Sequence, residues 1–97
     1  MTYERALAIR TDMAELHYNH GNTLLALERP LEALASYDQA LALKPNFVSA
    51  LNNRGWTLQQ LHRLEEALAS YDAALKIDPD HGIALANRQV LAKELRR

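Results

Sequence analysis

No cysteine occurs among the 97 residues. Disulfides and thiolate metal sites are therefore excluded. Glycine and proline number three each, and the glycines form no phosphate-cradling loop. Neither sign of charge dominates: 11 Lys and Arg face 12 Asp and Glu, a formal net charge of −1. A domain built to grip nucleic acid carries a clear basic excess, so nucleic acid is not an expected partner. No run of like charges marks a tail or a polybasic membrane patch. No apolar run is long enough to span a membrane, and the N-terminus lacks a signal-peptide pattern. A membrane partner is not expected, and the cytoplasm is the default location. What remains is 48% hydrophobic and 24% charged, the composition of an ordinary globular chain, with length for one small domain over 1–97.

The strongest positive signal is self-similarity. Tyr3, Tyr37 and Tyr71 are spaced by 34 residues and open the phrases YERALAIRTD, YDQALALKPN and YDAALKIDPD. Gly21 and Gly55 keep the same interval, as do Pro45 and Pro79. Laid without a gap over 48–81, residues 14–47 give 16 identities in 34; unrelated segments would give about two, so a structural unit is duplicated. Residues 82–97 restart the unit, matching 48–63 at Ala84, Leu85, Asn87, Arg88, Leu95 and Arg97. The division is then 1–13, the end of a preceding repeat; 14–47 and 48–81, two whole repeats; and 82–97, a further first helix.

Each unit reads as helix, short break, helix. In the second half of the first unit, Leu31, Ala33, Leu34, Tyr37, Ala40 and Leu41 form an apolar stripe of helical period. Pro30 suits the first turn of that helix, where its missing N–H is not needed. Pro45 ends it by forcing the preceding residue away from helical geometry. The second unit repeats the scheme up to Pro79. Helices are expected near 3–10, 14–27, 30–43, 48–61, 64–77 and 82–95, and nothing reads as a strand.

A 34-residue helix-turn-helix unit carrying Ala33, Tyr37, Ala40 and Pro45, then Ala67, Tyr71, Ala74 and Pro79, with Gly21 and Gly55 in the first helices, resembles the tetratricopeptide repeat, notably its bacterial arrays. The first helices depart from the pattern: His17 stands for a large apolar residue, and His20 and Arg54 for the leucine before the glycine. The resemblance implies an all-α fold, an antiparallel helix-hairpin solenoid of about six helices wound as a right-handed superhelix. One hairpin cannot bury its apolar face alone, so neighbours must cover it. Each glycine inside a helix costs roughly 1 kcal/mol against alanine. Close approach of the paired helix would offset this, with Ala33, Ala40, Ala67 and Ala74 facing the glycines. In the last helix Gln89 replaces the glycine among Arg88, Lys93, Glu94, Arg96 and Arg97, which reads as a polar cap on the stack.

No catalytic constellation emerges. His17 and His20 share a helix at a ligand spacing, but no carboxylate or third histidine sits at the next turn and no cysteine exists, so no metal is expected. Ser36, Ser49 and Ser70 have no activating neighbours. Glu65-Glu66 and Asp78 to Asp80 read as a solvated helix start and a turn. The chain is not expected to be an enzyme, and no cofactor is implied.

The resemblance instead implies a protein- or peptide-binding scaffold whose first helices line a concave groove. The matching positions are Glu15, Tyr18, Asn19, Asn22, Leu25 and Ala26; Ser49, Asn52, Asn53, Trp56, Gln59 and Gln60; and Ile83, Ala86, Asn87, Val90, Lys93 and Glu94. Asn19, Asn53 and Asn87 recur at 34 and would form a ladder. Each amide can donate and accept, so it can pair with a peptide backbone or bond a neighbouring helix of its own chain. Such ladders resemble those of arrays attached to protein glycosyltransferases, and a recognition arm of a larger enzyme is one alternative function. Trp56, the only tryptophan, could be a hot-spot side chain or pack against the adjacent helix. The clamp that some members use for a chaperone tail's carboxylate is not implied. Asn22 and Asn53 match its asparagines, but Tyr18, Ile83 and Asn87 stand at its basic places.

A self-assembling module is the other alternative. Tyr3, Ala6, Leu7 and Ile9 repeat core-facing positions, and Leu85, Leu91 and Leu95 are expected to stay partly exposed. Unpaired half units at the two ends favour a homodimer over a filament, because Gln89 blocks the close approach that glycine permits.

Overall fold

The computed structural model describes the backbone of residues 3–96 and the side chains of residues 9–96. Five helices follow one another: α1 (Tyr3–Ala26), α2 (Pro30–Leu43), α3 (Val48–Gln60), α4 (Leu64–Ile77) and α5 (Gly82–Leu95). Among the described residues there is no strand. Among the described residues no helix is long and apolar enough to cross a membrane.

The main departure from expectation is α1. The helices foreseen over 3–10 and 14–27 run on as one helix of 24 residues. Thr11 explains this, because it occupies the position at which Pro45 and Pro79 end the other second helices. Without a pyrrolidine ring no backbone N–H is lost and no carbonyl is crowded, so the helix continues through Thr11, Asp12 and Met13. Of the four apolar residues noted at the N-terminus, the side chains of Tyr3, Ala6 and Leu7 lie outside the described residues, and Ile9 is exposed.

Elsewhere the repeat builds matched parts. α1 packs on α2 and α3 on α4 as hairpins; α2 packs on α3, α4 on α5, and the first helices α1, α3 and α5 meet in sequence. The result is elongated, 53 × 30 × 18 Å. Both hairpin turns reverse through a left-handed residue, Glu28 at φ 59° and His62 at φ 60°. The amides beyond each helix end are satisfied in the same way: Glu28 and Arg29 donate to the Leu25 and Leu24 carbonyls, and His62 and Arg63 donate to those of Gln59 and Leu58. Arg29 and Arg63 then open α2 and α4 without a side-chain cap, each pairing instead with the glutamate three residues on, Glu32 or Glu66. Only α5 has a side-chain cap among those described, His81 Nδ1 accepting from the Ala84 amide at 3.1 Å.

The core is a line of small and aromatic side chains. Ala33, Tyr37 and Ala40 are fully buried in the first repeat, as are Ala67, Tyr71 and Ala74 in the second. The glycines face the tyrosines rather than the alanines. A Cβ on Gly21 would come within 2.7 Å of the Tyr37 ring, and one on Gly55 within 2.6 Å of the Tyr71 ring. The close approach is therefore between a helix backbone and the flat of an aromatic ring, and that contact offsets the glycine penalty. Leu34, Leu58, Ala67, Tyr71 and Leu91 form the larger cluster. Leu91 corrects an expectation: α5 carries it against Leu58 and Tyr71, and it is fully buried. Leu85 and Leu95 do stay exposed, with Ile83 and Val90.

Candidate partner-binding face

The first helices lie side by side, and a row of amides crosses from one to the next; Asn52 is buried, and Asn22, Asn53 and Asn87 are half-buried. Asn87 on α5 donates to Asn52 Oδ1 on α3 at 3.2 Å. Asn52 donates to the adjacent Asn53 Oδ1 at 3.3 Å, and Asn53 donates to Asn22 Oδ1 on α1 at 2.9 Å. The Tyr37 hydroxyl, arriving from α2, also donates to Asn22 Oδ1. Asn53 further donates to the Tyr18 hydroxyl at 3.3 Å. Four asparagines thus form one hydrogen-bonded chain over three helices. Asn19 is exposed and stands apart from it; its backbone carbonyl accepts from Thr23. The bonds run diagonally between neighbouring helices rather than down the column of Asn19, Asn53 and Asn87.

The other candidate residues divide by burial. Tyr18 is half-buried, 4.8 Å from the Phe47 ring and 6.1 Å from the Tyr37 ring between centroids. Gln59 is buried. Its Oε1 accepts from the Tyr71 hydroxyl at 3.0 Å, and its amide donates to Glu94 at 3.0 Å. Gln60 is exposed, and Trp56 is 43% exposed. Trp56 and Gln60 line an open hollow of about 420 Å³ with Leu25, Glu28 and Pro30. Burial pushes the phenols of Tyr37 and Tyr71 from 10.0 up to about 12; the Asn53 amide opposes the rise at Tyr37, and the Glu94 carboxylate adds to it at Tyr71.

Reasoning from sequence did not place Glu28 or Pro30 at the site; Glu28 belongs to the hairpin turn and Pro30 opens α2. It also overlooked the tyrosine hydroxyls as partners of this face. A signal for the latter exists. Aligned at 34, Asn22 and Leu25 become Trp56 and Gln59, so the polar residue moves by three positions, one helical turn. Charge on the outside is repeated too: Arg54 pairs with Asp38 and Arg88 with Asp72. Among the described residues no three histidine, aspartate or glutamate side chains gather as a metal cluster.

A family model described as tetratricopeptide repeat matches residues 18–82. The chain belongs to the tetratricopeptide repeat family, whose members are protein-interaction scaffolds. No curated protein matches the sequence. Among solved structures, the fold is similar to the Arabidopsis OM64 TPR domain, with a TM-score of 0.87 at 22% identity over 91% of this chain and 73% of that one. It is similar to the second TPR domain of human RPAP3, solved in complex with the HSP70 peptide SGPTIEEVD, with a TM-score of 0.79 at 25% identity over 93% and 81%. It is also similar to MamA from residue 41 onward of Desulfovibrio magneticus RS-1, with a TM-score of 0.82 at 25% identity; the match covers 87% of this tetratricopeptide chain and about half, 48%, of that one.

Proposed function

We propose that this chain is a non-catalytic scaffold that binds an extended segment of a partner protein along the face formed by α1, α3 and α5. The observation that carries this reading is Trp56. A large aromatic ring stands 43% exposed in a hollow, beside amides with hydrogen-bonding capacity to spare. Rigid aromatic side chains in such settings contribute strongly to interfaces. Asn19, the Asn87 carbonyl oxygen and Gln60 are available to a peptide backbone. The RPAP3 domain supports the general activity, since it was solved with a peptide. That peptide ends in EEVD, whereas Tyr18, Ile83 and Asn87 bring no positive charge to this face. With no cation at those three positions, an internal segment is favoured over a C-terminal carboxylate.

Capture of partner proteins by the wild type and by a Trp56→Ala, Asn53→Ala double variant tests the proposal. The double variant is expected to lose at least about ten-fold in affinity for any captured partner, as befits removal of an aromatic anchor, while keeping its helicity. Undiminished capture by a folded double variant refutes it.

A second reading concerns the partner. The exposed Ile83, Leu85, Val90 and Leu95 of α5 favour a homodimer through that helix. Light scattering that finds only the 11.0 kDa monomer at high micromolar concentration rejects it.

A further inference from the structure

Trp56 occupies the place of Asn22 in the preceding repeat, and Asn22 accepts the proton of the buried Tyr37 hydroxyl. Tryptophan has no acceptor to offer. The fold meets the loss at Gln59, which accepts from Tyr71 in place of the missing asparagine. The second repeat has thus released position 56 from the core and filled it with an exposed ring. The hollow beside that ring is as distinctive as the ring. It is lined by the apolar Leu25, Pro30 and Trp56 and by the polar residues Glu28 and Gln60. Among the described residues no cationic side chain lines it and Glu28 has no ion pair. The nearby Arg29 is forked onto Glu32 through Nε at 2.9 Å and Nη2 at 2.6 Å. It lines a separate hollow with Pro30, Leu31, Glu32 and Leu61. At the next junction the equivalents of the five lining residues are Gln59, His62, Leu64, Val90 and Glu94. There the aromatic is absent, and Gln59 is tied to Glu94.

We infer that the Trp56 hollow receives an arginine side chain of the bound segment. This rests on the reading that the α1–α3–α5 face binds a peptide, and it names the chemistry of that peptide. An arginine presents an apolar stem to Leu25 and Pro30, and a planar cation that stacks on the indole and forks onto the Glu28 carboxylate. An aliphatic side chain would cover the same walls but offer Glu28 no opposite charge. An acidic side chain would meet like charge.

Trp56 is the sole tryptophan, so its fluorescence reports the hollow directly. Titration with acetyl-Ala-Ala-Arg-Ala-Ala-amide is expected to change the emission saturably, with a Kd at least about five-fold below that of the peptide with norleucine in the centre, the range of an exposed cation–π contact joined to an ion pair. Glu28→Gln is expected to abolish that preference, and added salt to weaken it. Equal binding of the norleucine peptide, a preference that survives Glu28→Gln, or no saturable change with either peptide overturns the inference. Partner capture that still depends on Trp56 and Asn53 without any arginine preference overturns it while leaving the binding face intact.

Discussion

In the first repeat the Tyr37 hydroxyl donates a hydrogen bond to Asn22, a half-buried residue that also accepts from Asn53. In the second, the Tyr71 hydroxyl donates a hydrogen bond to Gln59, which is buried and whose amide continues to Glu94 on the next first helix. The rings lie over Gly21 and Gly55 with nearly the same spacing, so the difference is confined to the hydroxyl. The two repeats show that a buried phenol fixes the need for an acceptor but not its address. Moving the acceptor by one turn clears a surface position for another use.

The largest effect is one the two repeats share. Both phenols are pushed up to about 12 from 10.0 by burial. A folded-state pKa above the unfolded one contributes stability that is complete below pH 10 and is lost as pH rises through 12. Urea midpoints are expected to fall steeply across that window, and a Tyr37→Phe, Tyr71→Phe double variant to show a shallower fall. Next come the glycines. Gly21→Ala and Gly55→Ala gain helix propensity but drive a methyl into a buried ring, and each is expected to destabilise by about 2 kcal/mol in urea denaturation. Equal losses confirm that the repeats match at this contact; a stabilised variant shows that the ring yields.

The comparison itself is sharpened by Gln59→Leu. Alone it leaves the Tyr71 hydroxyl buried without an acceptor, at an expected cost of about 2 kcal/mol. Combined with Trp56→Asn, which restores the first repeat's arrangement, the loss should shrink by about 1 kcal/mol, read as a coupling energy in a double-mutant cycle. Additive losses would show that the two solutions are not interchangeable. The smallest effect lies at the turns. Glu28→Gly and His62→Gly relieve a left-handed conformation that disfavours a side chain, and each is expected to stabilise by about 1 kcal/mol in the same assay. In the titration of Trp56, by contrast, only the change at Glu28 should matter.

The hairpins were legible because glycine, tyrosine and proline recur at a fixed interval, and each has a mechanical reason at its place. The fused α1 was legible in principle, since the first copy of the phrase, opened by Tyr3, has Thr11 for proline. Reading a break there gave the average repeat precedence over the residue present. The amide row was harder. Aligning repeats sets Asn19, Asn53 and Asn87 in a column, yet neighbouring first helices meet through different edges. The bonds therefore join residues 31 and 35 apart, Asn53 to Asn22 and Asn87 to Asn52. A linear alignment holds no record of which edges touch. The Trp56 hollow depends on the same geometry, because Glu28 comes from a turn, Pro30 from the start of α2 and Trp56 from the following repeat.

The amide row also has a handedness of its own. Each asparagine from Asn87 to Asn53 gives its N–H₂ toward the N-terminal end of the chain of bonds, and Asn22 receives at the close. Turning either middle amide alone would set oxygen against oxygen at one contact and nitrogen against nitrogen at the other. The orientations therefore stand or fall together. Three helices from three successive units behave as one polar object, with a free carbonyl at the α5 end and a free amino group at the α1 end.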